Sequence, residues 1–127
     1  MHRTRFGSVV IDCDHFEEGV AFWAAALGVD PEDLPRDERY VSLGHVAGGL
    51  RLLIQRVPEA KTSKSRIHLD IETDDIEAEV GRLEALGATR AILQSDGGWV
   101  MFDVCGKEFC VIAPETPGFP ADTVSWD

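Results

Sequence analysis

The stretch Arg66-Ile67-His68-Leu69-Asp70-Ile71-Glu72-Thr73-Asp74-Asp75-Ile76-Glu77-Ala78-Glu79-Val80-Gly81-Arg82-Leu83-Glu84-Ala85-Leu86-Gly87 decides the fold. Apolar side chains alternate at Ile67, Leu69 and Ile71, the period of a strand with one buried face. After an acidic turn, Ile76, Val80, Leu83 and Leu86 recur at helical spacing, and Gly87 stands where a helix end takes a left-handed residue. The segment reads as strand, turn, amphipathic helix and stop.

The same order of elements begins sixty residues earlier. Ser8 to Ile11 is an apolar, partly β-branched run; Asp12-Cys13-Asp14 turns; Phe16, Val20, Trp23 and Leu27 keep helical spacing; Gly28 closes. Asp14, with Glu17 three residues on, is the expected N-cap. With Ser8 set on His68, Phe16 falls on Ile76 and Val20 on Val80. Dropping one residue inside the helix then sets Leu27-Gly28 on Leu86-Gly87, and Tyr40-Val41-Ser42-Leu43 on Trp99-Val100-Met101-Phe102. Such self-similarity signals a duplicated structural unit.

Short strand-like runs follow each helix: Arg39 to Leu43 and Leu50 to Val57 in the first copy, Thr89 to Leu93, Gly98 to Asp103 and Glu108 to Ala113 in the second. Each copy reads βαβββ, with the first copy's strand near Val29 undefined. A helix covers one face of such a sheet and leaves the other in need of a partner, so the two copies pair and leave a cleft. The expected architecture is α+β: two tandem βαβββ modules forming a curved mixed sheet around that cleft. It occupies one domain over residues 1–127, with repeat one at about 5–58, a polar connection from Pro58 to Ser65, repeat two at about 66–113 and an irregular tail 114–127.

Composition narrows the partners. A chain of 127 residues that is 44% hydrophobic can fill a core without disulfides or structural metal. Its formal charge of −11 repels phosphate backbones and anionic lipid headgroups, so neither nucleic acid nor a membrane surface is an expected partner. No apolar run reaches signal-peptide or spanning length, which predicts a cytoplasmic protein. Cys13, Cys105 and Cys110 lack the spacing of a zinc site or redox dithiol, and are read as reduced thiols.

The strand, turn acid, Phe22-Trp23 helix and Leu27-Gly28 stop, the second copy opening on Arg66-Ile67-His68-Leu69-Asp70, and the closing Gly98-Trp99-Val100-Met101-Phe102-Asp103 and Gly106-Lys107-Glu108-Phe109-Cys110 strands resemble the vicinal oxygen chelate superfamily. That group holds glyoxalases, extradiol dioxygenases and bleomycin-resistance proteins, and the resemblance covers residues 5 to 113. The nearest likeness is to small bacterial glyoxalase-like proteins, which implies a small-molecule ligand and a homodimer. In metal-dependent members, a His on the first strand and an acid on the last strand of each copy hold a divalent cation. Carried over, those places are Ser8, Gln55, His68 and Cys110, and only His68 keeps the family's residue type. The resemblance therefore implies no resident metal or other cofactor; a divalent ion, if held, would take His68 with Asp70, Glu72 or Cys110.

Alternation names the side chains that would meet a ligand. Ile67, Leu69 and Ile71 point to the helix, so Arg66, His68, Asp70 and Glu72 share the opposite, cleft-facing side, matched in the first copy by Ser8, Val10 and Asp12. Tyr40, Trp99 and Met101 on the later strands, with Gln55, are expected to floor the same cleft, the aromatics joining apolar bodies to polar tips. His68 beside Cys110 would also permit thiolate chemistry, because an imidazole lowers a thiol's pKa; a small core cysteine is the plainer alternative. Two functions follow. The first is metal-independent binding of an apolar or aromatic, oxygen-bearing compound. The second is a metal-dependent lyase, isomerase or dioxygenase in which His68 is a ligand.

Overall fold

The computed structural model describes residues 1–127. Its elements run β1 (Val9–Cys13), α1 (Phe16–Leu27), β2 (Tyr40–His45), β3 (Arg51–Arg56), β4 (Leu69–Glu72), α2 (Ile76–Ala85), β5 (Thr89–Leu93), β6 (Trp99–Phe102) and β7 (Glu108–Ile112). The expected α+β duplication is present as two mixed sheets, one per module, in the orders β1-β3-β2 and β4-β7-β6-β5. In each, the strand before the helix runs parallel to the last strand, and the other pairings are antiparallel.

The modules differ where the first copy was undefined. No strand forms near Val29. Instead Asp30 accepts a hydrogen bond from the Glu32 N–H at 3.0 Å, and Pro31–Asp33 make a single 3-10 turn. Proline cannot donate to a ladder, and an Asp folded back on its own backbone favours a turn. The following residues lie beside β2, where the Ser42 N–H donates to the Pro35 carbonyl at 3.0 Å and Arg36 makes an isolated bridge with Val41.

Both helix stops are as the glycines predict. Gly28 has φ 76° and Gly87 φ 114°, a region in which a Cβ is strained, and the N–H groups of Val29 and Ala88 return to the Ala24 and Leu83 carbonyls. One helix start differs from expectation. His15, not Asp14, holds the N-cap place of α1 and offers no side-chain bond, because β1 runs on through Cys13 and leaves one residue fewer for the turn. Asp75 caps α2, accepting from the Ala78 N–H at 3.0 Å.

The core lies between the sheets and the helices. Ile11, Val41, Leu52 and Ile54 of the first sheet and Met101, Phe109 and Val111 of the second face the helices, all nearly without exposure. Burying each of the larger side chains contributes about 1.5–3 kcal/mol. Helix α1 does not serve its own module alone. Trp23 packs edge-on against Phe109 of β7 with ring centroids 5.3 Å apart, and its indole N–H donates to Asp103 at 2.8 Å. From α2, the Arg82 guanidinium donates to the Ala26 carbonyl at 2.8 Å. These contacts lock the two modules through their helical layer.

Candidate functional site

Cross-strand register assigns faces, because partners in a ladder point the same way. On the open side of the first sheet, Asp12 is level with Gln55 and Gln55 with Tyr40; Val10 is level with Leu53 and Leu53 with Ser42. On the second, Asp70 is level with Cys110 and Cys110 with Val100. Asp12, Gln55 and Tyr40 thus form one predicted row, and Asp70 with Cys110 another.

Two expected floor residues belong to the other side. Met101 is level with Phe109 and completely buried beneath the helices. Trp99 is level with Val111; its indole N–H donates to Glu77 of α2 at 3.4 Å, and Arg90 stacks 5.0 Å over its ring. The alignment of Tyr40 with Trp99 was one residue out of step, and a slip of one reverses a strand residue's face. Ile11 and Ile71 each stand five residues before their helix and pair with Ile54 and Val111. On that match Trp99 corresponds to Val41, and the counterpart of Cys110 is Leu53 rather than Gln55.

Between the modules runs a groove of about 490 Å³, with half of its lining apolar. It follows the free edge of β1 through Val9, Val10, Ile11 and Asp12, and faces the connection at Lys61, Ser65, Arg66 and Ile67. Ser8 lies next to this edge, half-buried. Of the predicted residues, Asp12 and Arg66 line the groove, while Tyr40, Gln55, His68 and Cys110 do not. Arg66 is exposed and has no hydrogen bond or ion pair within the chain, leaving its guanidinium free.

The connection is fastened from beneath. Glu108 of β7 is 6% exposed, and its carboxylate accepts from the Lys61 ammonium at 2.7 Å and from the Ser65 N–H at 2.9 Å. Burial alone would raise its pKa, but these two donors outweigh it and hold the group at about 2. Lys107, whose pKa burial lowers, donates to the Ile67 carbonyl at 2.9 Å. His68 bonds from Nε2 to the Ser65 carbonyl at 3.2 Å. Since a carbonyl only accepts, that nitrogen carries a proton. Glu108 and Lys61 lie 47 positions apart and meet only through the fold, so no spacing in the sequence points to them.

The geometry bears on both chemical alternatives that the sequence leaves open. Burial, and next the Asp70 carboxylate that shares its rung, push the Cys110 thiol's pKa up, the opposite of activation. His68 stands two residues before Asp70, about 7 Å along the strand, and is engaged by Ser65 rather than by the thiol. The divalent ion of the family's metal-dependent members does not fit this donor set. Ser8, Leu53, His68 and Cys110 offer one imidazole and a protonated thiol, and no three His, Cys, Asp or Glu side chains come together in a metal-holding group.

Two duplicated α+β modules with helices on one side and a groove between them define the vicinal oxygen chelate architecture. A family model described as the glyoxalase-like domain matches residues 8–112, and the chain belongs to that family. No curated protein matches it in sequence. Among solved structures, a glyoxalase-related enzyme from Fulvimarina pelagi superposes with TM-score 0.69 at 15% identity, over 96% of each chain. A glyoxalase/bleomycin resistance protein from Albidiferax ferrireducens T118 gives 0.63 at 15%, over 87% of this chain and 98% of that one. A fosfomycin resistance protein from Listeria monocytogenes, solved with Mn(II) and sulfate, gives 0.70 at 11%, over 90% and 93%. At these identities the likeness is one of fold. No helix is long and apolar enough to cross a membrane.

Proposed function

We propose that the chain binds a small apolar or aromatic molecule bearing an oxygen function in the groove between its modules, without a resident divalent metal. The observation that carries this reading is the donor set: Leu53 and Ser8 stand where one copy would supply metal ligands, while the groove beside them persists. Val9, Val10 and Ile67 supply apolar wall, and the free Arg66 guanidinium meets a carboxylate, phenolate or carbonyl oxygen. His68 contributes by holding the Ser65 carbonyl, and so the segment that presents Arg66. The protein acts as a homodimer in this reading, with scattering mass twice its 14.0 kDa chain.

The deciding experiment joins elemental analysis to a ligand screen. Protein purified without chelator should carry no stoichiometric metal. Arg66→Ala should weaken a screened ligand by about 1–3 kcal/mol, with a smaller loss for His68→Ala, and neither variant should unfold. One metal per chain, lost on His68→Ala, would replace this reading with that of a metal-dependent lyase, isomerase or dioxygenase. A ligand indifferent to Arg66 would place binding elsewhere.

A further inference from the structure

Cys13 ends β1 in the first module, and Cys105 sits in the turn between β6 and β7 of the second. The fold brings their side chains, both free thiols, together across 92 positions of sequence. Gly19 locates the contact. Both sulfurs lie within 3.5 Å of the point where a Cβ on Gly19 would stand, and the Cys13 sulfur is 2.6 Å from it. Glycine in the first turns of α1 leaves the space that the two sulfurs share. Cys13 is fully buried, whereas Cys105 is half-buried, lines the groove and donates to the His15 carbonyl at 3.5 Å.

We propose that Cys13 and Cys105 are a redox-active pair, which an oxidant of the peroxide class closes into a disulfide joining the two modules. The geometry orders the steps. Peroxide reaches the groove-side Cys105; its sulfur, as thiolate, attacks one peroxide oxygen, the O–O bond breaks and hydroxide leaves, giving a sulfenic acid. The buried Cys13 sulfur then displaces the hydroxyl from Cys105, forming the S–S bond as water departs with the Cys13 proton. In sum, two thiols and one peroxide yield one disulfide and two waters. Burial pushes both thiols' pKa up, so the pair is slow at neutral pH and faster in alkali. Cys110, on the open face of the other sheet, takes no part.

The test uses the whole reduced chain exposed to hydrogen peroxide, then quenched and digested without reductant. Free thiols should fall from three to one, and mass spectrometry should find the Cys13 and Cys105 peptides joined. Cys105→Ser should abolish the link, and Cys110→Ser should leave it. Closing so long a loop should also raise the melting midpoint by about several degrees, reversed by dithiothreitol. Retention of three thiols, a Cys105 sulfinic acid with Cys13 still free, or linkage only between chains through Cys110 would each overturn the proposal. Because its readout is a covalent bond, it stands or falls independently of any ligand in the groove.

Discussion

Replacing Glu108 by Gln tests what fastens the wall of the groove. The substitution keeps the side chain's size and removes its charge, leaving Lys61 and the Ser65 N–H facing a neutral amide. A native pKa of about 2 against an ordinary 4.5 corresponds to roughly 3 kcal/mol at neutral pH, and solvent around the 26% exposed Lys61 reduces the usable part to about 1–2 kcal/mol. The folded pKa is depressed, so the unfolded chain binds the extra proton. The stabilisation is therefore full above 4.5 and falls away as pH drops toward 2, with about half gone near pH 3. Urea unfolding of both proteins at several pH values isolates the term, because the other carboxylates cancel in the difference. The variant should be less stable at pH 7 and converge on the parent in acid. A gap independent of pH between 7 and 3 would refute the reasoning and leave packing as the cause.

Trp99→Ala should cost about 2–4 kcal/mol of stability while leaving ligand affinity within twofold, measured by denaturation and titration, since its ring serves α2 and not the groove. Trp23→Phe should lose about 1–3 kcal/mol by leaving the Asp103 carboxylate without its indole donor, with the greater part of the change in unfolding midpoint rather than slope. Gly19→Ala, which would raise stability in an exposed helix, should here lower it by about 1–3 kcal/mol, because the new methyl meets the Cys13 sulfur.

The repeat was legible because the two halves keep the same apolar spacing and end their helices at Gly28 and Gly87, where backbone conformation admits little else. The rungs Asp12 with Gln55 and Asp70 with Cys110 share faces that alternation can state for one strand at a time. Register between strands is a tertiary property. That is why Trp99 and Met101 were assigned to the wrong side, and why Leu53 was passed over for Gln55. Contacts made by the chain's closure, such as Lys61 on Glu108 or Cys13 on Cys105, leave no spacing in sequence by which to find them.

The absence of a fourth strand in the first module has a consequence for the outer margins of the sheets. The Pro35 carbonyl takes up the Ser42 N–H and the Asp37 N–H returns to Tyr40, so the outer margin of β2 is partly closed by a segment that, at Pro35, has no donor to pass on. The second sheet ends differently, on β5, with Ile92 and Leu93 each 59% exposed and no segment paired beyond them. At the outer margins, β2 is a blunted border and β5 an unfinished one. Duplication has thus produced halves alike in fold and unlike at their outer margins, β2 covered and β5 bare.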